Sequence, residues 1–272
     1  MAVITLASAS GAPGVTTAAL ALAFAWPRPV YIIEADAAGS SQISAGYLRG
    51  QVPHNRGMID LAVAHRQGRI AEILREVALD LPLRQVAAGG GGEAETSTDV
   101  RFVAGARSHA QAMTVSRIWD SLDPVLKSLD RSGIDVIVDA GRLGMDGFAS
   151  PLLRSADLAL LTTRATLPAL SGARGWARQL TEEFDRVGAL HSLGLLLVGE
   201  GRSYTEKQVR AVLKLPVLAT LAFDPVAAEV YYLGRPCRRR RFDHAALPRS
   251  ARAAASALST LIADNRTRLA AS

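Results

Sequence analysis

The chain has 272 residues, 49% of them hydrophobic and 21% charged, with a formal net charge of +6. That balance belongs to a globular protein with a sizeable core and excludes general disorder. A single cysteine, Cys237, excludes an internal disulfide framework and fits a reducing, cytoplasmic setting.

No apolar run reaches transmembrane length. The best candidate, residues 18–33, is cut by Pro27, Arg28 and Pro29. The N-terminus lacks the charged start and apolar centre of a signal peptide. The positive charge favours acidic partners such as nucleic acid or anionic lipid. Only three of the 31 basic residues are lysine (Lys127, Lys207 and Lys214), and none is near the N-terminal glycine turn.

In chain order, residues 3–7 read as a buried strand and 8–14 as a Ser/Gly/Pro turn. Residues 16–25 read as a helix stopped before Pro27. A second strand, 30–33, ends in Glu34-Ala35-Asp36. Helical stretches follow at 59–65 and 69–78. Residues 88–99, with four consecutive glycines, read as a flexible loop that does not divide domains. Strands are expected at 100–104, 134–138, 158–162, 193–198 and 217–221. Helices are expected at 116–129, 167–187, 205–213, 226–233 and 250–269. Apolar strands alternating with helices predict an α/β fold, a doubly wound, mainly parallel sheet of about seven strands with helices on both faces. The whole chain, 1–272, reads as one domain.

Ligands of such sheets bind beyond the carboxyl ends of the strands, so the strand ends carry the functional reading. The first is Ser8-Ala9-Ser10-Gly11-Ala12-Pro13-Gly14-Val15-Thr16-Thr17, between a strand and a helix. Phosphate loops share this layout, because glycines let backbone N–H groups curl around an anion at a positive helix end. The usual loop ends Gly-Lys-Ser/Thr, and here Val15 takes the lysine position. The second is Glu34-Ala35-Asp36, where a carboxylate can polarise a water or hold one through a metal. The third is Ile134-Asp135-Val136-Ile137-Val138-Asp139, which delivers Asp139 to a strand tip as a Walker-B strand does.

Together these segments resemble the ParA/MinD family of deviant-Walker ATPases. The family pattern Ser-Gly-Lys-Gly-Gly-x-Gly-Lys-Thr-Thr is matched at Ser8, Gly11, Gly14, Thr16 and Thr17. Residues 30–36 are similar to its Asp-x-Asp strand, with Glu34 for the first Asp, and 134–141 to its Walker B. Residues 155–163 and 215–236 resemble later family segments. The likeness spans about residues 2–262.

The resemblance implies nucleotide contacts from Gly11, Ala12, Pro13, Gly14, Val15, Thr16 and Thr17. It also implies a purine near Gly199-Glu200 and Phe223-Asp224-Pro225, with ATP as the default. Mg²⁺ would be held through Thr16, Asp36 and Asp139, and a homodimer is expected. The family's two lysines correspond to Ser10 and Val15. Ala9 and Ala12 replace glycines, and Pro13 removes a donor. The phosphate loop is therefore degenerate, with the metal half retained and the cationic half missing. Losing one charged hydrogen bond costs roughly 1.5–3 kcal/mol, or about 10- to 150-fold in affinity.

The expected protein is a positioning or scaffolding factor with weak nucleotide binding and slow or absent hydrolysis. The alternative is an active Mg-dependent ATPase in DNA partitioning or polar localisation, with arginine replacing the lysines. Arg142 is the first substitute and Arg164 the second, so Asp36 and Arg142 are the catalytic candidates. The run Arg238, Arg239, Arg240, Arg241 suits nonspecific DNA, and hence nucleoid association, or an acidic protein. The C-terminal helix has many alanines and no aromatic residue, which argues against a membrane anchor.

Overall fold

The computed structural model describes residues 2–10, 14–86, 92–201 and 203–271. Its strands are, in chain order, β1 (Val3–Ser8), β2 (Val30–Glu34), β3 (Leu79–Asp80), β4 (Leu83–Val86), β5 (Glu93–Thr96), β6 (Val100–Val103), β7 (Asp135–Arg142), β8 (Leu158–Arg164), β9 (Leu193–Val198) and β10 (Val217–Leu221). The α-helices are α1 (Val15–Ala25), α2 (Met58–His65), α3 (Ile70–Val77), α4 (His109–Val115), α5 (Trp119–Ser128), α6 (Ser150–Arg154), α7 (Leu167–Arg186), α8 (Glu206–Leu213), α9 (Pro225–Tyr232), α10 (Arg239–Asp243) and α11 (Ala246–Ala271).

Strands that are apolar along their whole length must be covered on both faces. Every residue of β1 and β2 is accordingly buried. The main sheet has the order β10-β9-β8-β1-β7-β2-β6-β3, parallel throughout except for the antiparallel edge strand β3. All seven expected strands are present, and β3 is an eighth. One face carries α1, α9 and α11, whose Leu20, Leu22, Ala255 and Leu258 are fully or almost fully buried. The other face carries α2, α3 and α5–α8, packed through Leu61, Leu74, Leu122, Leu180 and Val209. Among the described residues no helix is long and apolar enough to cross a membrane.

Three expectations are corrected. Residues 93–96, expected in a flexible loop, form β5, which pairs antiparallel with β4 from Leu83↔Thr96 to Val86↔Glu93. The ties are ionic rather than apolar, which is why hydropathy misses them. The buried Arg84 reaches Glu93 at 3.6 Å and Glu95 at 3.3 Å, and Arg49 also pairs with Glu93. The other edge of β4 is taken by Cys237, whose carbonyl accepts from the Val86 N–H at 3.0 Å. Residues 88–91 of that expected loop lie outside the described residues.

The terminal helix begins at Ala246 rather than 250. The expected helix over 116–129 is a 3-10 turn, Ser116–Ile118, followed by α5. The short helices α4, α6 and α10 have too few turns to show a period.

The topology fixes where a ligand can sit. From β1 the chain builds outwards through β2 and β6 and returns to insert β7 between β1 and β2. It then places β8 on the far side of β1. The carboxyl ends of β7, β1 and β8 therefore flank a topological switch point, where sheets of this type form a crevice.

Candidate functional site

The β1–α1 connection opens this crevice. Gly14 caps α1 in a left-handed conformation (φ 95), and no side chain caps that helix end. The expected contacts Gly11, Ala12 and Pro13 lie outside the described residues. Thr16, in the first turn, donates its hydroxyl to Asp139 Oδ2 at 2.5 Å. Asp139 is buried, and its Oδ1 accepts the Gly141 N–H at 3.1 Å. Burial pushes the Asp139 carboxyl up to about 6, reinforced by the charge of Asp36 and opposed by the bonds from Thr16 and Gly141.

Asp36 stands beside this pair because residue 141 is glycine. Gly141 has φ 66, and a Cβ there would fall 2.2 Å from the Asp36 carboxyl carbon. Thr16, Asp36 and Arg142 line one cavity of about 570 Å³, together with Ser8, Gly14, Thr17, Gln42 and Tyr232. Arg142 is exposed and donates to the Met145 sulfur at 2.9 Å. Among the described residues no three His, Cys, Asp or Glu side chains cluster as metal ligands. A site with two carboxylates and a hydroxyl matches Mg²⁺, which usually keeps waters and binds through one or two carboxylates plus phosphate.

Val15, which the resemblance sets at a lysine position, is only 7% exposed and belongs to the core cluster around α1. Its side chain thus serves packing, though the residue still borders the cavity. Ser10 is exposed and lies against α7, where a Cβ on Gly172 would come within 2.2 Å of its hydroxyl. Glu34, the last residue of β2, faces inward. Its oxygens accept from Ser41 Oγ, the Ile43 N–H at 3.0 Å and the Gly105 N–H at 3.1 Å. It fastens the loop that carries Asp36, and burial pushes its carboxyl up to about 7 against those bonds.

A second cavity, about 290 Å³, adjoins the first through Gly14, Thr17 and Tyr232. Its walls include Leu221, Phe223, Asp224, Pro225 and Leu247, with Arg164 stacked 5.6 Å from the Phe223 ring centroid. A largely apolar recess next to a helix N-terminus suits a purine beside its phosphates.

Asp224 lines that recess with both of its carboxylate oxygens already engaged. One oxygen caps α9 by accepting the Ala227 N–H at 3.1 Å, and the other accepts the Ala246 N–H at 3.2 Å. Gly199 and Glu200 do not line it: Gly199 donates its N–H to the Leu221 carbonyl at 2.8 Å, and Glu200 borders a groove with Lys207 and Arg210. Tyr232 and Gln42 were not expected at the site; a lone tyrosine or glutamine carries no sequence signal. Arg238 precedes α10 and Arg239, Arg240 and Arg241 form its first turn, all four exposed and well separated in sequence from the phosphate loop.

Solved structures similar to this chain in fold include MinD and ParA ATPases. The cell division ATPase MinD of Pyrococcus furiosus superposes with a TM-score of 0.69 at 18% identity, covering 96% of this chain and 99% of that one. The fold is the MinD/ParA fold. The septum site-determining protein MinD of Pyrococcus horikoshii, complexed with Mg-ADP, gives 0.68 at 19% identity, covering 96% of both chains. A ParA family ATPase from Chlorobium tepidum gives 0.64 at 15%, over 93% of this chain and 98% of that one. No family model matches the chain, and no curated protein sequence is similar to it.

Proposed function

We propose that this chain is a ParA/MinD-like positioning or partition factor that binds a purine nucleotide with Mg²⁺ weakly and hydrolyses it slowly or not at all. The observation that carries this reading is the pairing of Thr16 with Asp139 at 2.5 Å, with Asp36 and Arg142 on the same cavity and a purine-sized recess next door. Mg²⁺, when bound, would supply neutralisation of phosphate charge. Thr16, Asp36 and Asp139 would hold it, directly or through water. Gly14 and the uncapped start of α1 would orient the phosphates, and Phe223 and Pro225 would shield the base from water.

No lysine borders either cavity among the described residues. Lys127 is paired with Asp123 at 2.9 Å on α5, and the other two belong to α8 and its cap. Phosphate charge therefore falls to Arg142, whose guanidinium shares the Thr16 cavity. If Arg142 replaces the family lysine fully, the chain is a working ATPase, which is the second reading.

A titration with fluorescent ATP, in Mg²⁺ and in chelator, tests the proposal. Mg²⁺ is expected to tighten binding, and Thr16→Ala or Asp139→Ala to remove that gain. Equal binding in chelator would make the carboxylates structural remnants. Steady turnover abolished by Arg142→Ala would establish the second reading.

A further inference from the structure

The residues between 235 and 252 include seven arginines and one aspartate, an excess equal to the formal net charge of the whole chain, +6. The rest of the protein is therefore electrically balanced, and the cationic segment borders a groove of about 690 Å³ between α9 and α10. Val226, Val230 and Phe242 give the groove an apolar lining, and Val226 stands 76% exposed at its lip. Phe242 is fixed in place by its ring contact with Tyr231, 5.6 Å between centroids.

Arg235, Arg238 and Arg241 also line the groove. Arg235 is neutralised by Glu229 at 2.6 Å. Arg238 and Arg241 have no ion pair among the described residues. The two acids in the wall are already engaged, Glu229 with Arg235 and Asp224 with the Ala227 and Ala246 N–H groups. His244 is the other titratable group beside Cys237 in the lining.

We infer that the α9–α10 groove docks a short acidic segment of a partner protein, with apolar side chains on Val226, Val230 and Phe242 and carboxylates on Arg238 and Arg241. An apolar floor beside unpaired guanidinium groups is complementary to alternating apolar and acidic side chains. A nucleic-acid backbone offers the charge but nothing to cover Val226. Arginine also recognises carboxylates bidentately, which adds geometry to charge. The inference does not depend on nucleotide binding, although α9 forms both the groove wall and part of the purine recess.

The test is selection from a displayed library of random peptides about twelve residues long, followed by fluorescence anisotropy with the enriched peptides. Enriched sequences are expected to be acidic with interspersed Leu, Ile or Phe. Binding should fall about tenfold or more in Arg238→Glu and Arg241→Glu. Val226→Asp should weaken it too. Arg240→Glu makes the same charge change off the groove lining, and it should cost little.

Circular dichroism confirms that each variant is folded. An enrichment without acidic character would overturn the inference, as would equal losses in Arg240→Glu and Arg241→Glu. Duplex DNA binding that responds alike to all four arginines, with no acidic peptide enriched, would assign the surface to nucleic acid and also overturn it.

Discussion

Glu34, the last residue of β2, and Asp139, within β7, are register partners, both buried, with carboxyls pushed up to about 7 and about 6 chiefly by burial. Such a carboxyl holds its proton more tightly in the fold than in the unfolded chain. Its stabilising contribution is complete below the ordinary carboxylate range and is lost as pH rises through the folded value. For Glu34 that window runs from 4.5 to about 7, and for Asp139 from 3.8 to about 6. Metal-free protein in chelator is therefore expected to melt at a lower temperature at pH 8 than at pH 5. Glu34→Gln keeps the side-chain shape and removes the titration, so it should flatten much of the slope. A profile that is flat or rises over that range in the unmutated protein would show that these carboxyls are already charged and compensated.

Among the elements, α9 depends on a single side chain at its start. Asp224 caps its first turn and ties it to the first residue of α11, with bonds of 3.1 and 3.2 Å. Removing a helix N-cap costs about 0.5–2 kcal/mol, and Asp224→Ala breaks the tie to α11 as well. Urea unfolding should show a loss near the upper end of that range, and nucleotide affinity should drop because Pro225 and Tyr232 move with α9. Unchanged stability would mean that water replaces the cap.

The strands of the sheet were legible because a parallel strand must be apolar throughout, and the site was legible because polar residues interrupt the apolar runs at its strand ends: Ser8 closes β1, Asp36 follows β2 and Asp139 breaks the apolar run of β7. The β4–β5 pair was not, since Arg84, Arg49, Glu93 and Glu95 hold it by charge across distant positions. Nor does sequence separate the two carboxylates at the end of β2: Glu34 turns inward to three donors, and of the two Asp36 alone faces the cavity.

At the scale of the molecule, the question is what converts a nucleotide-binding fold into a switch between monomer and dimer. In the family that this chain resembles, one lysine holds the β- and γ-phosphates and another reaches the partner's nucleotide. Here those positions are Val15, 7% exposed in the first turn of α1, and Ser10, exposed beside Gly172 of α7. A lysine at 15 can lay its aliphatic stem on the core and extend its ammonium into the cavity that Val15 already borders. Val15→Lys is therefore expected to tighten Mg-ATP binding by roughly 1.5–3 kcal/mol. Adding Ser10→Lys should then produce a dimer in sedimentation experiments only when Mg-ATP is present, because that position is exposed and the resemblance implies that a lysine there reaches the partner's nucleotide. Micromolar or tighter binding by the unmutated chain would show that Arg142 and backbone amides already supply the charge. A folded Val15→Lys protein without improved binding would show that the missing lysine is not what limits phosphate binding, leaving a scaffold in place of a weakened switch.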